Sequence, residues 1–130
     1  MANEQVDPLF RTEAADTVRF LRQRVQWKPG KAVTHLQKRQ AMGHLSPELS
    51  VEDYNAVIRD LACEESHRVY LYRFGSERYY AVRGLVSNRE WLVIATREGI
   101  METAFPPDAI DEYLSKRQFV LIGTIQEVLA

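Results

Sequence analysis

Apolar residues Phe10, Ala14, Val18, Leu21 and Val25 recur at helical spacing, so an amphipathic helix is predicted over about 9–26. Asp7-Pro8 supplies its start, an N-cap followed by proline at the first helical position. "KPGK" ends it. The next stretch, "VTHLQKRQAMGHL", has poor periodicity, with only Val33, Leu36, Met42 and Leu45 as larger apolar residues. It reads as loop containing at most a short helical or extended piece. Ser50-Val51-Glu52-Asp53 then has the form of a capping box, and Tyr54, Val57, Ile58 and Leu61 follow at i, i+3, i+4 and i+7. A second amphipathic helix over 51–63 is expected, with Cys63 packing near its end.

The period then changes from helix to strand. "RVYLYRF", "RYYAVRGL", "EWLVIAT" and "IMETAF" are rich in β-branched and aromatic residues and are separated by "GS", "SN" and "REG", an antiparallel meander. With Gly75-Ser76 as a two-residue turn, Tyr72 pairs with Tyr79 and Leu71 with Tyr80. Val69, Leu71, Tyr80 and Val82 then line a core face. Tyr70, Tyr72, Tyr79, Ala81 and Arg83 line an amphipathic face, either covered by a helix or presented to a ligand. Pro106-Pro107 stops the meander before a short helix through Ile110, Tyr113 and Leu114, and "QFVLIGT" reads as a fifth strand. The fold class is α+β: two N-terminal helices, then a twisted antiparallel sheet of about four to five strands with a short late helix. Residues 1–130 make one domain, with 1–8 and 125–130 as loose ends.

At 45% hydrophobic and 27% charged residues, this is the composition of an ordinary globular protein. The longest apolar runs are strand-sized, so no membrane span is expected. "MANEQVDPLF" lacks a basic region followed by an apolar core, so no secretory signal is expected either. The single cysteine excludes an internal disulfide and fits a reducing compartment, and a cytoplasmic location is expected. The net charge of −1 argues against indiscriminate coating of nucleic acid, but the charge is segregated. Arg19, Arg22, Arg24, Lys28, Lys31, Lys38 and Arg39 fall in an acid-free window from Thr17 to Pro47. Such a patch attracts phosphate even when the total charge is near zero, although a solvated helix face and loop would look the same.

His35, His44 and His67 are too few and too scattered for a metal centre, and no cofactor is implied. There is no phosphate-cradling glycine loop, no nucleophile elbow, and Cys63 inside an apolar helix is expected to be inert. Acid–base chemistry assisted by cations remains. Metal-free RNA cleavage needs a group that takes the 2′-hydroxyl proton and a group that protonates the leaving oxygen, the natural work of histidine. Fixed donors such as Lys and Arg stabilise the developing phosphorane. The stretch from His35 through Lys38 and Arg39 to His44 contains these residue types.

The order "H-x-x-K-R-x-x-x-G-H-L-S", then "S-V-E-D-Y-N-A-V-I", then strands with "W-L-V-I-A-T-R-E-G-I-M-E-T-A-F-P-P", resembles the superfamily that groups barnase, EndoU, the tRNA-cleaving colicins and RelE-type toxins. The likeness covers roughly residues 33–115. It implies N-terminal helices before a four-stranded antiparallel sheet, and metal-independent cleavage of RNA, often tRNA. Carried over by position, it implies His35 as general acid or base, Lys38 and Arg39 as phosphate-binding cations, and Thr103 as the hydroxyl residue across the sheet. Arg83 or Arg97 would add phosphate contacts, with His44 as an additional candidate. Apart from the resemblance, Tyr72 is a further candidate, because aromatics interleaved with Arg73, Arg78 and Arg83 suit the stacking of single-stranded RNA. Plainer readings stand beside these: His35 as a solvated or capping residue, His44 as a turn residue, His67 as surface, Trp91 as core and Thr103 as an ordinary strand residue. The alternative function is a non-catalytic interaction module or an immunity- or antitoxin-like protein binding a cognate protein partner.

Overall fold

The computed structural model describes residues 7–130; the expected loose end at 1–8 lies outside them except for Asp7 and Pro8. Helix α1 spans Pro8–Gln23, with the Asp7 carboxylate accepting from the Leu9 amide, as the Asp-Pro signature anticipates. A two-residue strand β1 (Gln26–Trp27) leads into helix α2 (Lys31–Ala41), and helix α3 (Val51–Cys63) follows. The α3 capping box is fully formed by Ser50 and Asp53. Four strands come next, β2 (Arg68–Phe74), β3 (Glu77–Val86), β4 (Arg89–Thr96) and β5 (Ile100–Phe105). Helix α4 (Ile110–Lys116), strand β6 (Val120–Thr124) and helix α5 (Ile125–Leu129) complete the chain's elements.

The six strands form one sheet in the order β1-β5-β4-β3-β2-β6. All pairs are antiparallel except β1 with β5, so the sheet is mixed rather than purely antiparallel. Tyr72 faces Tyr79 and Leu71 faces Tyr80, the register expected from the Gly75-Ser76 turn. Gly75 has φ 61°, and in the second hairpin Ser87 and Asn88 have φ 49° and 65°, the left-handed pair that a tight two-residue turn requires.

Side-chain alternation then divides the core into two layers. Val69, Leu71, Tyr80, Val82, Trp91 and Val93 face α1, α3 and α5 and are nearly inaccessible to solvent. Tyr70, Ala81, Leu92 and Ile94 face the other way, under Ile110 and Leu114 of α4. The amphipathic face of the first hairpin is therefore largely a helix-covered face.

Further features depart from expectation. The poorly periodic stretch is an eleven-residue helix whose only buried residues are Leu36 and Arg39. A helix that touches the fold along so narrow a strip leaves little periodic signal. Its N-cap is Gly30 in the left-handed conformation with no side-chain cap, and the first helix stops at Gln23 rather than near 26: Arg24 turns extended and Gln26–Trp27 join the sheet, so "KPGK" ends β1 and not α1. Residues 125–130 do not trail away: Thr124 and Glu127 form a capping box, and Ile125 and Val128 are buried. Cys63 is exposed at the end of α3 rather than packed. No described helix is long and apolar enough to cross a membrane.

α1 is fastened to the sheet by a buried carboxylate. Glu13 accepts two hydrogen bonds from Arg78 (2.9 and 2.7 Å), one from the Tyr80 hydroxyl (2.7 Å) and one from Arg97 (3.3 Å). The Arg78 bonds lead in holding its pKa down at about 2, against burial, which raises it. Its unfolded value is near 4.5, so this stabilisation is complete above pH 4.5 and disappears as pH falls toward 2. Glu13→Gln should therefore be less stable than wild type by about 1–3 kcal/mol at pH 7. The gap should close between pH 4.5 and 2 in pH-dependent thermal denaturation; a gap that is as wide at pH 2 as at pH 7 would contradict this role.

Candidate functional site

β5 is paired with β1 only at Ile100 and Met101, because β1 is two residues long. Beyond that point the β5 edge meets α2 instead of another strand, and α3 reaches it through the Tyr54 side chain. The arrangement brings residues from four elements together. Trp27 is fixed by its parallel register with Met101 and by its indole N–H, which donates to Asn55 Oδ1 at 2.8 Å. Its ring centroid lies 5.1 Å from the His35 imidazole and 5.5 Å from the Tyr54 ring. Tyr54 is fully buried, and its hydroxyl donates to the Ala104 carbonyl at 2.6 Å, tying α3 to β5.

His35 Nδ1 lies 3.3 Å from Thr103 Oγ1. These residues are 68 positions apart, and the contact joins the two ends of the site anticipated from the sequence. Burial lowers the His35 pKa from its ordinary value near 6.5, followed by the nearby charges of Arg39, Lys31 and Lys38, while Glu102 pushes the other way. At neutral pH the imidazole is therefore held unprotonated. Lys38 is exposed one turn along α2.

Arg39 differs from the expected surface cation. It shares a face of α2 with His35 at i+4, yet it is only 4% exposed. Its guanidinium stands 5.5 Å over the Phe105 ring, lies 3.2 Å from His44 Nδ1 and reaches Met42 Sδ at 3.9 Å. No carboxylate of the described residues pairs with it, and its buried Nε has no hydrogen-bond partner. Burial lowers the Arg39 pKa, with Tyr54 opposing. The local backbone explains the position: Gly43 at φ 76° sends its N–H to Gln40 O and the His44 N–H to Arg39 O, a Schellman close that folds His44 back beside Arg39.

Other residues singled out in the sequence lie elsewhere. Arg83 sits two strands from β5 and donates to both carboxylate oxygens of Glu90 and to Asp111, which occupy the guanidinium expected to hold phosphate. It lines a different surface cavity, of about 400 Å3, together with Ser66, His67 and Arg68. Arg97 is taken up by Glu98 and Glu13. Tyr72 stacks on Phe119 at 4.4 Å, part of the aromatic packing under α4. His67 is not a free surface residue: Nδ1 bonds the Leu61 carbonyl at 2.8 Å, and its ring fills the space over Gly84 that a Cβ would need. Arg22 of the basic window serves structure as well, capping the Ala62 carbonyl of α3 at 2.7 Å.

Trp27, Tyr54 and Phe105 belong to the site and were not anticipated in it. Tyr54 was legible only as a helix-face residue, and nothing local links Trp27 to a helix that starts four residues later. Compared with protein-family models, with curated proteins and with solved structures, the chain matches none of them.

A buried cation without a counter-charge is costly, so Arg39 should be retained at the expense of stability. Arg39→Met, close in volume and uncharged, should equal or exceed wild type by about 1–2 kcal/mol in urea denaturation. It should also raise the titration midpoints of His35 and His44, which Arg39 now holds down. Lower stability together with unmoved histidines would refute this assignment.

Proposed function

We propose that this chain is a small metal-independent ribonuclease-like domain that binds RNA at the α2–β5 edge and acts on it by acid–base chemistry. The observation that carries the reading is the approach of His35 to Thr103, in a half-buried setting flanked by Lys31, Lys38 and Arg39. His35, unprotonated near neutrality, would take the 2′-hydroxyl proton through Nε2, the nitrogen not facing Thr103, and as imidazolium return that proton to the leaving 5′-oxygen as the P–O5′ bond breaks. Thr103 fixes the ring and offers a hydroxyl to the phosphate. Trp27 packs against the imidazole and limits its rotation. Lys38 supplies positive charge that solvent and substrate can reach, whereas Arg39 acts from beneath the surface. The resemblance to the barnase, EndoU, colicin and RelE group gives the substrate class, RNA with tRNA as the first candidate.

A second reading is favoured by the burial of Arg39, which removes one of the two cations expected to face phosphate. On that reading the same surface holds RNA or a cognate protein without cleaving anything.

Incubation of the purified protein with total tRNA in EDTA separates the two. Wild type should cut, and His35→Ala should lose cutting by a factor of about 100 or more while its RNA affinity changes little. Cleavage that requires magnesium, or that survives the substitution, would overturn the mechanism; binding without any cleavage would leave the interaction module.

A further inference from the structure

His44 folds back beside Arg39, and its hydrogen bonding defines its chemistry. A guanidinium carries only donors, so an imidazole nitrogen 3.2 Å from Arg39 Nη1 must offer a lone pair. That nitrogen is Nδ1. The ring is therefore neutral, with its single proton on Nε2. Protonating Nδ1 would set an N–H against the N–H of a buried cation. His44 is half-buried, and its Nε2 has no hydrogen-bond partner among the described residues and is not a buried atom, so it is open to a ligand at the C-terminal end of α2.

The surroundings favour an anionic oxygen there. Three of the last four α2 carbonyls, which would otherwise repel an anion, are engaged by the chain itself: Lys38 O accepts from the Met42 amide, Arg39 O from His44 and Gln40 O from Gly43. The charges acting on His44 are Arg39 and Arg89, both cationic, opposed by Asp108. Beneath lies the Arg39 guanidinium, nine-tenths buried, without a carboxylate among the described residues and with Nε unbonded.

We propose that His44 is a fixed, neutral hydrogen-bond donor whose Nε2–H binds an anionic oxygen of the ligand, such as a phosphate oxygen, while proton transfer belongs to His35. This rests on the reading of the α2–β5 edge as an RNA site and divides the work between two imidazoles. Arg39 acts as a positioning residue: it selects the His44 tautomer rather than touching the ligand. A neutral imidazole donor aimed at developing negative charge stabilises it without gaining or losing a proton.

The test uses the full chain labelled with 15N-histidine and inorganic phosphate as the probe. Long-range proton–nitrogen correlation at pH 7 should show His44 as the Nε2–H tautomer, and added phosphate should move its Nε2 signals. Phosphate should bind His44→Ala about tenfold more weakly, whereas His44→Gln, whose amide N–H can take the place of Nε2–H, should bind nearly as wild type. An Nδ1–H tautomer, an imidazolium at pH 7, or signals indifferent to phosphate would overturn the proposal. Failure of the two readings is distinguishable. If phosphate moves His44 but tRNA is not cut, the donor stands and the ribonuclease reading falls. If tRNA is cut equally by His44→Ala and wild type, the donor falls and the ribonuclease reading stands.

Discussion

An edge strand must be covered, and the edge of β5 is covered unevenly. β1 supplies only two residues of parallel pairing, so the remaining length of β5 meets helices rather than a ladder of hydrogen bonds. Everything at the candidate site follows from that gap. α2 lies across it, which places His35 against Thr103 and Arg39 over Phe105. α3 closes it from the other side through the Tyr54 hydroxyl on the Ala104 carbonyl. β1 itself sets Trp27 where its ring meets both His35 and Tyr54.

Two buried charges in this protein are treated in opposite ways. Glu13 is met by Arg78, Tyr80 and Arg97, so its burial fastens α1 to the sheet. Arg39 is met by an imidazole, a thioether and an aromatic face, none of which carries an opposing charge. The first arrangement serves the fold. The second leaves a buried cation without an opposing charge and holds down the pKa of the two histidines beside it.

Local chemistry made much of this fold legible in the sequence. The Asp7-Pro8 start, the Ser50 capping box and the Gly75-Ser76 register each depend on residues within a few positions of one another, and each took the expected form. α2 was obscure because two buried residues cannot set up a period, and because Gly30 caps it by conformation rather than by a side chain. α5 carries a readable Thr124…Glu127 box, but five helical residues are too few to set up a period. Among the site candidates, His35, Lys38, Arg39 and His44 are neighbours in sequence on one short helix and its cap. The partner choices of Arg83 are a different matter: Asp111 lies 28 residues away, and no local pattern announces that the guanidinium is already taken. The burial of Arg39 was equally hidden, since it depends on where β5 ends.

The central claim is that His35 and Thr103 form one unit across the β5 edge. A double-mutant cycle on folding stability, with His35→Ala, Thr103→Val and the pair combined, measures this without any assumption about substrate. The account predicts a coupling of about 0.5–1.5 kcal/mol between the two positions. Strictly additive effects would mean that the side chains do not meet in solution, and would remove the geometry on which the functional reading stands.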